Sequence, residues 1–268
     1  MPNCMLVSVV ITVFNEEDNI ADLLDSLVTQ EGPLEVIVVD AHSRDKTREI
    51  VQRYCERYPF VKLHEIGGKR GRSRNAGIKI ASGEAIAFVD GDAICNPFWA
   101  PQIRKSLAAG ADVVAGKTIN IGLRAWEALG RVELFYKGHD VTYPSCNIAY
   151  RAKVLQDIKG FDEWFITAED IDMNLRAVEA GFILVYNPEA IVYHRTKSTV
   201  YRFFKQAFWN GAGRKQLTMK HGRLWSSYDP MRMFRQKMTF WSFSRMVVAI
   251  GGYVGFKFFG DKAPYKKS

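Results

Sequence analysis

Two periods alternate along the first ninety residues. Val7 to Val13 is an unbroken, mostly β-branched apolar run, as expected of a parallel strand covered on both faces. Ile20, Leu23, Leu24 and Leu27 then share one helical face, with Asn15 and Asp18 spaced like a capping box ahead of them. Gly32-Pro33 closes that unit. Val36 to Asp40 predicts a second buried strand, and Ser43 or Asp45 can cap a helix that carries Ile50, Val51 and Tyr54 and stops at Pro59. Val61–His64 predicts a short strand, 71–81 a helix, and Ala85–Val89 a fourth strand. This strand-helix order predicts an α/β fold with a doubly wound, mostly parallel sheet.

Further on, the pattern predicts a helix over Pro97–Leu107, a strand over Asp112–Ala115, an amphipathic piece over Ala125–Tyr136 and a strand over Asn147–Tyr150. A helix over Thr167–Ala180, ended by Gly181, and strands over Ile183–Tyr186 and Ala190–Tyr193 complete the body. The division expected is a catalytic body over 1–195 and a helical, basic and aromatic tail over 196–268.

At 268 residues and 47% hydrophobic content, the chain can bury one large α/β core with an appendage. Cys4, Cys55, Cys95 and Cys146 form no Cys-x-x-Cys pair and no His-Cys cluster, which argues against zinc and disulfides and fits a reducing cytosol. Met5–Phe14 has no basic leader and reads as a first strand. The net charge of +8 is uneven. From Arg195 onward 16 Lys and Arg face 2 acids, a net +14, whereas the preceding 194 residues carry −6. Such asymmetry points to a polyanionic partner.

Open parallel sheets bind ligands beyond the carboxyl ends of their strands. Those ends are polar here: Thr12-Val13-Phe14-Asn15-Glu16, then Asp40-Ala41-His42-Ser43, then Asp90-Gly91-Asp92. Two carboxylates after a buried strand suit a hard divalent cation beside a diphosphate. Asp-Gly-Asp is also ordinary turn chemistry. Arg70-Gly71-Arg72-Ser73-Arg74 opens a helix whose N-terminus can hold phosphate. No Gly-x-Gly-x-x-Gly follows the first strand and no Gly-x-x-x-x-Gly-Lys-Ser/Thr is present, against dinucleotide and P-loop sites. In Thr167-Ala168-Glu169-Asp170-Ile171-Asp172, Thr167 and Asp170 fit a capping box, yet three acids exceed what capping requires. Glu169 and Asp170 are left at the helix mouth, where a general base could meet an acceptor. His194 ends a strand-like run and is a candidate third metal ligand.

The ordered series Val9–Glu16, Val38–Thr47, 71–77, Phe88–Asp92, Cys146–Arg151, 160–163 and Glu169–Asp172 resembles family 2 glycosyltransferases of the nucleotide-diphospho-sugar transferase (GT-A) fold, over roughly Leu6–Arg195. The resemblance implies a mostly parallel mixed sheet. It also implies that Thr12, Phe14 and Glu16 shape the nucleotide pocket and that Asp40 contacts the base. Arg74 would steady the Asp pair or the diphosphate, Asp90 would face ribose or metal-bound water with Gly91 on the donor side, and Asp92 would hold Mn²⁺ or Mg²⁺. Asp170 would be the base, with Glu169 and Asn147 on the acceptor side; His194 matches a metal ligand of some relatives. Thr12 replaces a frequent Pro, and Ala41-His42-Ser43 a frequent Asp/Asn-Gly-Ser. The Gln-x-x-Arg-Trp element of processive synthases is absent, which implies single transfer.

The expected reaction is inverting transfer of a sugar from a UDP- or GDP-sugar to a hydroxyl or phosphate of a glycan or lipid-linked acceptor. The tail interleaves aromatics and cations over Tyr201–Trp209, and Met238–Phe259 is largely apolar. These features suit an anchor on an anionic membrane surface better than a span of about 20 residues. A cytoplasmic enzyme, peripheral on the cytoplasmic face of the membrane and with no nucleic-acid partner, is expected. The rivals are a sugar-1-phosphate nucleotidyltransferase, which would want a glycine-rich first loop, and a non-enzymatic nucleic-acid binder using the basic tail.

Overall fold

Residues 4–122, 132–195, 199–222, 224, 239–261 and 264 are described by a computed structural model. In chain order the elements are β1 (Val7–Val13), α1 (Ile20–Val28), β2 (Leu34–Asp40), α2 (Thr47–Arg57), β3 (Val61–Glu65), α3 (Arg70–Ile80), β4 (Ala85–Asp90), β5 (Ala93–Cys95), α4 (Trp99–Ala108) and β6 (Val113–Ile121). They continue as β7 (Phe135–Tyr136), β8 (His139–Asp140), β9 (Ile148–Arg151), α5 (Ala152–Asp157), α6 (Glu169–Glu179), β10 (Leu184–Arg195), α7 (Val200–His221) and α8 (Phe240–Phe259).

The main sheet runs β3-β2-β1-β4-β9-β6-β10-β5. The strands β3, β2, β1 and β4 are parallel, as are β6 and β10, whereas β9 runs antiparallel to both β4 and β6, and β5 to β10. This is the expected mostly parallel mixed sheet. Its central strands are apolar throughout because successive side chains enter opposite layers. Val9 and Ile11 of β1 join Leu23, Leu24, Trp99 and Ile103 on one side. Val10, with Ile37, Phe88 and Ile148, joins Phe161, Met173, Leu175 and Leu217 on the other.

Several local expectations are corrected. Asn15 does not cap α1; it has φ of 55° and its side chain accepts from the Arg44 amide, while Asn19 occupies the cap position. Lys46 precedes α2, and Asp45 accepts from the Thr47 amide at 3.0 Å. No capping box opens α6: Ala168, at φ 66°, is its cap position, and Thr167 donates instead to the Trp209 carbonyl. The two strands expected over 183–193 are one, β10, with a bulge between Asn187 and Ile191. The two- and three-residue strands β5, β7 and β8 were not anticipated. Most of the amphipathic piece over 125–136 lies outside the described residues, as does Met238.

The tail does not pack as a separate unit. Leu217 of α7 lies in the second core, and the Gln216 amide binds the backbone of Trp164 and Ile166. Asp172 of α6, 0% exposed, pairs with Arg176 on its own helix and with Lys220 and His221 of α7, each of the latter at 2.7 Å. Burial would raise its carboxyl, but the hydrogen bond from His221 and the charges of Arg176 and Lys220 outweigh burial and hold it below the usual range. α8 lies along α7: Phe203 and Phe204 meet Trp241, Lys215 sits over Tyr253, and the backbones approach at Gly211 and Gly252 too closely for a Cβ.

Candidate functional site

The first two strand ends are joined by polar contacts between their loops. Asn15 and Glu16 amides donate to Ser43 Oγ and Thr47 Oγ1, at 2.9 and 2.8 Å, and the Glu17 amide donates to Asp45. Asp40 is wholly buried; its Oδ2 accepts from the Ser43 amide, and its Oδ1 has no hydrogen-bond partner. An orphaned carboxylate oxygen of this kind is costly unless an N–H reaches it. Phe14, beside it, is 54% exposed. Thr12 is partly exposed, and Glu16 accepts from the Asn19 amide group at 2.9 Å.

One strand over, β4 delivers Asp90, and Gly91 turns the chain. A Cβ there would lie 2.9 Å from Val13 Cγ1 and 3.3 Å from Glu16 Cγ, so only glycine lets this turn sit against the first loop. The chain then re-enters the sheet as β5, where Ala93 pairs antiparallel with His194 of β10. That pairing brings His194 Nε2 to 3.3 Å from Asp92 Oδ1 and 3.9 Å from Asp90 Oδ2. One ligand atom from each of Asp90, Asp92 and His194 lies within 4.8 Å of the others. Two carboxylates and an imidazole fit a divalent cation.

Arg74 joins this cluster to the start of α6. At 2% exposure it donates from Nη2 to Asp90 Oδ1 at 3.0 Å and from Nη1 to Glu169 Oε1 at 2.7 Å. The Asp pair and the Glu-Asp pair therefore share one cleft. Burial would raise the Asp90 carboxyl, but Arg74, Arg70 and His194 outweigh it and hold it below its ordinary range. Arg70, on the exposed side, is raised in turn: the desolvation it feels is outweighed by Asp90, Glu169, Asp170 and Asp92. Asp170, half-buried, accepts from the Ser145 amide at 3.2 Å and the Ile171 amide at 2.8 Å. Burial and then the Glu169 charge push its pKa up to about 6, against the pull of Arg74.

The side chain of Asn147, expected on the acceptor side, is engaged within the fold. It is buried, with Oδ1 accepting from Trp99 Nε1 and Nδ2 donating to the carbonyls of Lys117 and Ala190. Its amide joins strands and is fully used. Sequence reasoning did not single out Ser145, whose contribution is a backbone amide, or Arg70 within the basic run that it noted.

The sequence profile described as "Glycosyl transferase family 2" matches residues 8–158, and that of "Glycosyl transferase family group 2" matches 125–258. The chain belongs to glycosyl transferase family 2. Among its relatives, Glycosyltransferase AglE of Haloferax volcanii is 28% identical over 226 residues, covering 80% of this chain and 74% of that protein. A dolichyl N-acetyl-alpha-D-glucosaminyl phosphate 3-beta-D-2,3-diacetamido-2,3-dideoxy-beta-D-glucuronosyltransferase of Methanococcus voltae is 25% identical, over 80% of this chain and 74% of that one. Other family members are longer: the chain spans 56% of the probable glycosyltransferase YdaM of Bacillus subtilis, at 26% identity over 80% of this chain.

Two solved structures share the GT-A fold. Staphylococcus aureus TarS 1-349 with UDP-GlcNAc aligns with a TM-score of 0.63 at 21% identity, covering 94% of this chain and 81% of that one. The mannosyltransferase PcManGT of Pyrobaculum calidifontis, with GDP-Man and Mn²⁺, gives 0.65 at 18% identity, covering 97% and 77%. These family and fold matches favour neither rival reading.

Proposed function

We propose that this family 2 glycosyltransferase moves a sugar, with inversion, from a nucleoside diphosphate sugar to a glycan or lipid-linked acceptor. The observation that carries the reading is the Arg74 bridge, which holds the aspartate pair and the Glu169-Asp170 pair in one cleft. Asp40 Oδ1 would accept an N–H of the base, with Thr12, Phe14 and Glu16 around it and Gly91 leaving room. Arg70, facing four carboxylates, can follow the diphosphate. Asp92 and His194, with Asp90, would hold Mn²⁺ or Mg²⁺, which when bound offsets charge on the leaving diphosphate. Asp170 accepts the proton of the attacking hydroxyl. An ionised lipid phosphate would need only positioning. A lipid-linked acceptor is supported by the Methanococcus relative, whose name specifies a dolichyl phosphate-linked sugar. Four free cysteines support a reducing, cytoplasmic setting.

The test is a calorimetric titration with UDP- and GDP-sugars, with and without Mn²⁺. Saturable binding of donors of one base, strengthened by the metal, is expected; no heat with either base rejects the reading. The acceptor follows from a pH profile. With a neutral hydroxyl acceptor, Asp170 must be ionised, so kcat is expected to rise tenfold per pH unit below about 6 and to level off above it. A profile flat from pH 5 to 8 would remove proton acceptance by Asp170.

A further inference from the structure

The outward side of α8 is apolar. Phe240, Phe243, Val247, Ile250, Val254 and Phe258 are each 45–75% exposed. Recurring every three or four positions, they fill an arc of roughly 80° on a helix of 3.6 residues per turn. The opposite side is committed to α7, with Gly252 and Phe256 buried. A helix apolar on both sides calls for a second covering surface.

The charge around the arc identifies it. Phe203 and Phe204 lie against Trp241, which puts the exposed Arg202 and Lys205 beside the Phe240 end, and Lys257 borders the other end. From Arg195 onward the chain is net +14 with only two acids. A second copy seated on this arc would oppose like charge with like, whereas an anionic lipid surface complements it and accepts apolar side chains as well. No helix among the described residues is long and apolar enough to cross a membrane, so the arc can lie in the interface plane.

Resting on the reading of a transferase with a lipid-linked acceptor, we infer that the arc Phe240-Phe243-Val247-Ile250-Val254-Phe258 is the face that docks the protein on anionic lipid. The inner side of α7 holds α6 through Asp172, and Thr167, just before α6, donates to Trp209 of α7. Docking on α8 would therefore hold the Asp170 cleft at a fixed height above the bilayer.

The test is flotation of the full chain with vesicles of phosphatidylcholine alone or mixed with phosphatidylglycerol. Val247→Asp with Ile250→Asp alters exposed positions outside the cleft, so the fold should persist. The wild type is expected to float with the anionic vesicles. Flotation should fall at least tenfold in the double variant, on neutral vesicles and at high salt. No flotation, or flotation that the double variant leaves intact, overturns the docking face. So does concentration-dependent self-association in sedimentation that the substitutions abolish. Donor binding, measured in the same samples, is expected to be equal in the two proteins. If donor binding is absent while flotation behaves as stated, the transferase reading fails and the docking face stands.

Discussion

Asp170→Asn is expected to lower kcat by about 10²–10⁴-fold, the range a positioned general base contributes, while donor affinity stays near that of the wild type. Both hydrogen bonds to this carboxylate come from backbone amides, those of Ser145 and Ile171. The amides use different oxygens, Oδ2 and Oδ1, so the Asn oxygen keeps one bond while its NH2 cannot accept the other; basicity is lost and one anchor is kept. The wild-type group is well tuned: with a pKa near 6 it is mainly ionised at neutral pH yet more basic than an ordinary aspartate. Single-turnover transfer to a hydroxyl acceptor, with donor affinity measured separately, checks this. A variant that keeps more than a tenth of wild-type kcat would exclude Asp170 as the base.

Asp92→Ala is expected to do different damage, visible first in binding. Asp92 lies 3.3 Å from His194, and Arg74 pairs with Asp90 and Glu169 instead. Removing Asp92 therefore leaves the bridge across the cleft intact. Donor affinity should lose its dependence on Mn²⁺, and turnover should fall by about 10²–10⁴-fold, since charge stabilisation of the leaving group by a bound metal is worth several kcal/mol. Asp90→Ala would be a poorer probe because it also strips a partner from buried Arg74. Paired titrations with and without Mn²⁺ decide the matter: unchanged metal dependence in Asp92→Ala would remove it from the cation site.

The sheet and the carboxylate cluster were legible for the same physical reason. Parallel strands covered on both faces must be apolar throughout, so Val7–Val13, Val36–Val39 and Ala85–Val89 stand out, and the polar residues after them fall at one edge. What escaped depends on contacts that periodicity does not encode. A three-residue strand such as β5 has no detectable alternation, yet its pairing is what seats His194 beside Asp92. Asn147 is placed on the acceptor side by the family resemblance, not by any pattern in the residues around it. Here its amide instead serves Trp99 and two carbonyls within the sheet. The ties of Lys220 and His221 to Asp172, which hold α7 on α6, join residues about fifty positions apart that no local pattern links.

Strand phase ties the bulge in β10 to the metal chemistry. Side chains alternate across a sheet with a period of two, so a change in the residues between Asn187 and Ile191 that slips the downstream register by one would leave Val192-Tyr193-His194 facing the wrong way. The imidazole would turn from the carboxylates to the opposite face of the sheet, and Tyr193 would take its place. Chain length in those few residues is thus a coordination parameter, set about 10 Å of extended strand before the imidazole it orients.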